Sequence, residues 1–71
     1  MLDDGTYDAV VVDATADVRD VLHLELTIVA GPYKGEVVSV AAAGLGRSDV
    51  DVMGLPATLE VTGGEPLITF D

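Results

Sequence analysis

Apolar and polar residues alternate along two neighbouring stretches of the chain, residues 22–28 and 36–42, which are separated by a segment rich in Gly and Pro. Alternation with a period of two is typical of a β-strand that buries one face. The separating segment, residues 31–35, holds Pro32 and two glycines, which favours a loop of about five residues. The two stretches are therefore predicted to form a hairpin, with Leu24 opposite Ala42, Leu26 opposite Val40 and Ile28 opposite Val38.

Three more strands are predicted from the same alternation, over residues 5–13, 57–62 and 66–70. Gly63 and Gly64 between the last two favour a tight two-residue hairpin. This turn places Thr62 opposite Glu65, Leu59 opposite Ile68 and Ala57 opposite Phe70. The alternation is lost in residues 13–20, which are predicted to be a solvated loop or a short helical turn.

One short helix is predicted after the third strand, over residues 49–53. Ser48 is a good N-cap residue, and acidic residues in the first turn complement the helix dipole. Gly54 suits the position just beyond the helix C-terminus. Val50 and Met53 are expected to face the core.

Three strands, a short helix and two further strands, in that order, resemble the OB-fold, a five-stranded Greek-key barrel. The segment Gly31-Pro32-Tyr33-Lys34-Gly35 also resembles the strand-turn-strand of phage-type single-strand-binding OB proteins. The expected fold class is thus an all-β, small five-stranded OB-like barrel spanning residues 1–71 as one domain, with an SH3-like small barrel as the alternative. The resemblance implies contacts to single-stranded nucleic acid, for which Tyr33 and Lys34 at the hairpin tip and His23 on the second strand are the candidate residues.

The charge balance opposes that function. The 71 residues include 13 Asp and Glu but only 3 Lys and Arg, for a net charge of −10. A nucleic-acid groove needs several basic and aromatic side chains, so phosphate backbones should be repelled. The acidity fits a solubilising surface, a basic protein partner or mimicry of nucleic-acid charge. No apolar run approaches a membrane span and no signal-like segment opens the sequence, so a cytoplasmic location is expected.

No catalytic or metal-binding constellation is visible in the sequence. His23 is the only histidine, and neither Ser39 nor Ser48 lies near it in sequence, so no triad is visible, although neighbours in space remain open. The acidic clusters lack the spacing of an EF-hand loop, and the paired glycines lack the Lys or Ser/Thr of a phosphate loop. The chain contains no cysteine. An enzyme is therefore not expected, and no cofactor is indicated.

Four valines fall on the face of the first three strands that should be polar in a monomeric barrel: Val10, Val12, Val29 and Val37. An apolar outer face is expected to bind another protein surface. The predicted function is a non-enzymatic acidic interaction module that binds protein and self-associates as a homodimer through these valines. The alternatives are a single-stranded nucleic-acid-binding protein and an acidic nucleic-acid mimic.

Overall fold

The computed structural model of the protein describes residues 2–44 and 46–70. In these residues five antiparallel strands form a curled half-barrel with one short helix, which is consistent with the predicted small OB-like barrel. The strand order in the sheet is β3-β2-β1-β4-β5. The elements are β1 (Gly5–Ala16), β2 (Val21–Ile28), β3 (Val37–Ala43), α1 (Asp49–Val52), β4 (Pro56–Thr62) and β5 (Glu65–Phe70).

The core lies on the concave face of the sheet, where the alternating apolar residues of every strand meet. The side chains of β2 and β4 that were expected to point inward are all buried. The largest fully buried side chains are Leu24, Leu26, Ile28, Leu59, Val11 and Val52. All six are aliphatic, and no buried polar side chain accompanies them in the described part of the chain. Burial of this single cluster is the main source of stability.

The hairpin register of β2 and β3 differs from the prediction by two residues. Leu26 lies opposite Val38 and Leu24 opposite Val40. The loop is longer than expected because Val29 does not pair with β3. Its N–H instead donates to the Asp8 C=O on β1 (3.0 Å). A shift of two keeps every side chain on its predicted face, since the side-chain period of a strand is two.

The first strand is longer than predicted and contains a β-bulge. It runs to Ala16, so residues 13–16 are strand and only the remainder of the expected loop is a turn. The register to β2 shifts between Val11 and Asp13, which leaves Val12 as the extra residue. Such a bulge increases the local bend and twist. It lets β1 curl around the core and brings Ala14 back against it.

The short helix has the predicted N-cap, but the side of the helix that is buried is not the predicted one. Ser48 forms a capping box with Asp51, and Gly54 adopts the left-handed backbone beyond the helix. Val52 is fully buried, whereas Val50 and Met53, which were expected to face the core, are exposed. The cause is the turn after the helix: Leu55 N–H donates to the Val52 C=O and Gly54 N–H to the C=O of Val11 on β1, which fixes Val52 above the sheet.

The second hairpin is confirmed in full. Gly63 and Gly64 have φ values of 60° and 82°, as a two-residue turn with positive φ at both positions requires. Each predicted pair is present: Thr62 with Glu65, Leu59 with Ile68, and Ala57 with Phe70.

Candidate functional site

The most distinctive surface feature is a gap, here called the seam, between the two outer strands of the curled sheet. β3 and β5 face each other across it, yet within residues 2–44 and 46–70 no strand ladder joins them. A groove of about 350 Å³ lies in the seam near the start of both strands. Its lining includes Leu2, Glu36, Val38, Ser39, Val61 and Pro66. A second groove of about 240 Å³ follows farther along the same strands, so the seam continues along their length.

The edge of β3 that faces the seam offers free backbone positions. Ile28 N–H donates to the Glu36 C=O (2.9 Å), so Glu36 directs its carbonyl toward β2. Successive residues of an antiparallel ladder direct their backbone groups alternately toward and away from the neighbouring strand. Counting from Glu36, the N–H and C=O groups of Val37, Ser39 and Ala41 point into the seam.

Pro66 explains why β5 does not close the barrel onto β3. Thr62 and Glu65 flank the two-residue turn as a hydrogen-bonded pair, so the alternation directs the backbone of Pro66 and Ile68 away from β4 and into the seam. Proline has no N–H to donate, which confines it to edge strands. β5 therefore lacks a donor at the position where closure onto β3 would begin.

The end of the seam where β3 and β5 begin is acidic, and we call it the mouth. Glu36 lines the groove, and Glu65 opens β5 beside Gly64, another lining residue. Asp4 accepts a hydrogen bond from the Gly63 N–H (3.2 Å), which holds the N-terminal segment at the same place. The carboxylate of Asp3, its neighbour in sequence, accepts a hydrogen bond from Tyr33 in the loop that leads into β3. The mouth thus carries four carboxylates.

Two tyrosines anchor the N-terminal segment to the first hairpin loop. Tyr7 and Tyr33 pack edge to face, with ring centroids 5.7 Å apart. The Tyr33 hydroxyl donates to the Asp3 carboxylate (2.6 Å), and the Tyr7 hydroxyl donates to the Asp3 backbone carbonyl. The bond to Asp3 and then burial raise the pKa of Tyr33. Burial, followed by the charges of Asp3 and Asp4, raises the pKa of Tyr7.

The three residues predicted to contact a ligand do not form one site. Tyr33 is half-buried against Tyr7 and bonded to Asp3, so its ring is not free to stack on a base. Lys34 is exposed on the hairpin loop. His23 lies toward the other end of β2, where its Nε2 is 3.3 Å from the Asp17 carboxylate. These contacts count against the nucleic-acid function, which stays a prediction.

Asp17 organises the turn between β1 and β2. Its carboxylate accepts hydrogen bonds from the backbone N–H groups of Arg19 (2.8 Å) and Val21 (3.2 Å). These bonds, together with the contact to His23, lower the pKa of Asp17. The role of His23 in this structure is therefore to support a turn.

The predicted self-association residues do lie on one surface, here called the valine face. A row of side chains crosses four strands on the convex side of the sheet: Val37, Thr27, Val10 and Pro56. Val12 and Val29 flank the row. Val10 is half-buried, whereas Val12, Val29 and Val37 are 46%, 42% and 58% exposed. Acidic residues border the valine face. Asp8 lies beside Val29, whose N–H donates to the Asp8 backbone C=O, and Glu25 lies beside the bulge.

No protein-family profile, curated protein or solved structure matches the chain. In the described residues, no group of three or more His, Asp or Glu side chains is arranged to hold a metal ion. No helix in that part of the chain has the length and apolar character needed to cross a membrane.

The seam is not predicted from the sequence, although the sequence contains one signal for it. Pro66 is the first residue of the predicted last strand, and a proline in a strand indicates a free edge. The contacts of Asp3 and Asp4 span 30 and 59 residues of sequence, and no local pattern reports such contacts.

Proposed function

We propose that this chain is a non-enzymatic interaction module that binds an extended segment of a protein partner in the seam by strand addition. The observation that supports this function most directly is the free edge of β3 beside a groove lined by apolar side chains. In strand addition, main-chain hydrogen bonds to an exposed edge provide affinity, and pockets for alternate side chains provide specificity.

The seam has both parts of such a site. Val37, Ser39 and Ala41 provide N–H and C=O groups along one edge. Below that edge Val38 is half-buried and Val61 buried, so an inward side chain of the added strand would rest on apolar surface. Because Pro66 removes a donor from the opposite edge, β3 is the main strand of the binding site.

The proposal is tested by amide hydrogen exchange in the ¹⁵N-labelled chain. The probe is an extended peptide of about eight residues with alternating Val and Thr, long enough to span β3 at about 3.3 Å per residue. At about 1 mM, where a complex worth about 4 kcal/mol is half formed, it should slow exchange at Val37, Ser39 and Ala41. Exchange at Val38 and Val40, which bond to β2, should not change. Protection confined to other residues would refute strand addition at β3.

A second candidate function, homodimerisation, is supported by the valine face. The exposed fractions of Val12, Val29 and Val37 amount to about 200 Å² of apolar area per copy, worth about 5 kcal/mol at 25 cal/mol per Å². Two copies together would gain about 10 kcal/mol, which is comparable to the cost of about 4–15 kcal/mol for association. The net charge of −10 on each copy adds repulsion. The expected dimer is therefore weak and should strengthen as salt screens the charges.

Sedimentation velocity at about 100 μM, in low and high salt, tests this dimer. Val37→Glu should abolish the salt-induced dimer. Val18→Glu is the matched control, because it makes the same charge change at a fully exposed valine in the β1–β2 turn, away from the valine face. A wild-type monomer at both salt concentrations, or equal effects of the two substitutions, would rule out self-association through the valine face.

The remaining expectations also stay proposals. A cytoplasmic location and mimicry of nucleic-acid charge are compatible with the acidity of the chain. Mimicry would need carboxylates spaced like phosphates along one face, and competition with DNA for a basic DNA-binding protein would test it.

A further inference from the structure

We propose that the segment bound in the seam is basic and runs antiparallel to β3, so that Lys or Arg residues near its C-terminal end contact the carboxylates of the mouth. This inference rests on the proposed function and adds the chemistry and direction of the partner. Three features of the seam support it: its charge distribution, the direction of its two edges and the apolar lining of its groove.

The charges around the seam are distributed unevenly. The mouth carries Asp3, Asp4, Glu36 and Glu65, and Lys34 on the hairpin loop is the one basic residue close to them in sequence. At the opposite end Arg47 lies over the ring of Phe70, 5.2 Å from its centroid, where β5 ends. Because Arg47 lies at the far end, a cationic side chain of the bound segment is placed more favourably at the mouth. Complementary charges of this kind select the partner and its register more than they add affinity.

The direction of the segment follows from the sheet topology. β3 and β5 both run in the direction of β1, because each is separated from it by one antiparallel neighbour. A strand that is added to β3 in the antiparallel direction therefore also runs opposite to β5. Antiparallel pairing is slightly more stable per residue than parallel pairing. Since both strands begin at the mouth, the C-terminal end of an antiparallel segment lies there.

The groove selects an apolar residue next to the basic ones. Its lining near the mouth includes Leu2, Val38, Val61 and Pro66. Side chains of an added strand alternate between this groove and solvent. The segment that fits has aliphatic residues at every second position, with Lys or Arg between them toward its C-terminal end.

Three synthetic peptides of about eight residues test the inference on the full ¹⁵N-labelled chain. All have Val at alternate positions. The first carries Lys at the remaining positions of its C-terminal half and Thr elsewhere, the second has the same composition with Lys in the N-terminal half, and the third carries Glu where the first carries Lys. The first peptide should give the largest slowing of amide exchange at Val37, Ser39 and Ala41, and its affinity should fall as salt rises.

Two sets of variants locate the contacts. Ser39→Pro removes one N–H that faces the seam, whereas Ser39→Val changes the same exposed side chain but keeps that donor. Only the proline variant should weaken binding of all peptides. Glu36→Gln combined with Glu65→Gln leaves the backbone of the edge unchanged and should weaken the first peptide by about threefold to tenfold. It should have little effect on a neutral Val and Thr peptide.

The outcomes separate the inference from the function on which it rests. If the Glu peptide binds as well as the first, or the peptide with N-terminal Lys binds better, the basic antiparallel partner is wrong, while strand addition at β3 stands. If no peptide, including the neutral one, slows exchange at these three amides, strand addition itself is wrong. The Gln double variant keeps the test decisive if Ser39→Pro does not fold.

Discussion

Val52 and Val50 provide a sharp test of the structure, because they lie in the same four-residue helix and differ in burial. Val52 is fully buried, whereas Val50 is 77% exposed. Val52→Ala removes two carbon atoms from the core, worth about 1.6 kcal/mol at 0.8 kcal/mol each, and leaves a cavity that adds to the loss. We expect a total destabilisation of about 2–3 kcal/mol, or a decrease in Tm of about 10–20 °C for a domain of this size.

Val50→Ala is the matched control for this substitution. It removes the same atoms from an exposed side chain, so the change should stay within about 0.5 kcal/mol. Alanine also has the higher helix propensity. Urea unfolding followed by circular dichroism measures both variants, and equal m-values would show that the unfolded states are comparable. A loss below about 1 kcal/mol for Val52→Ala, or a loss for Val50→Ala as large as that for Val52→Ala, would contradict the packing of α1.

Three further substitutions test the turns and the N-terminal anchor. Gly63→Ala should lower the free energy of unfolding in urea by about 1–2 kcal/mol, because a Cβ at φ 60° strains the backbone although no other atom is close. Gly63→Asn should lower it less. Equal stability of the Gly and Ala forms would contradict the turn. Asp17→Asn should lower Tm near neutral pH but not in strong acid. The pKa of Asp17 is lowered in the folded state, so the contribution of its carboxylate to stability is lost as pH falls through that pKa. A difference in Tm that does not depend on pH would exclude this cause. The raised pKa of Tyr33 predicts that stability falls as pH rises through the titration of that phenol. Tyr33→Phe, which cannot ionise or bond to Asp3, should reduce this alkaline loss of stability in thermal melts. An unchanged alkaline profile would rule out a contribution of Tyr33 to it.

The two hairpins show which parts of the fold the sequence specifies. Gly63-Gly64 strongly favours a two-residue turn, and such a turn determines the register of β4 and β5. Eight residues, 29–36, separate β2 from β3 because Val29 and Ala30 join the loop, and the composition of that loop does not determine its length. The hydrophobic alternation then specifies which face is buried but leaves the register uncertain by two residues.

The helix and the candidate site show where local patterns lose information. A helix of a single turn has no periodicity from which to choose a buried face, so the backbone bonds after it decide that Val52 is inside. The valine face could be predicted because it follows from strand alternation. The seam could not, because it depends on how far the sheet curls and on the direction of individual N–H groups in strands distant in sequence.

The open seam also has a consequence for solubility at high concentration. If the β3 edge of one copy paired with the β5 edge of the next, every added copy would present the same two edges again, and growth would continue into a fibre without closing. Pro66 removes one N–H donor from the β5 edge of this assembly, and mutual repulsion between chains of net charge −10 opposes the approach of each new copy. We therefore expect the acidity of the chain to oppose filament formation, and we expect this effect to weaken in acid, where the carboxylates are neutralised.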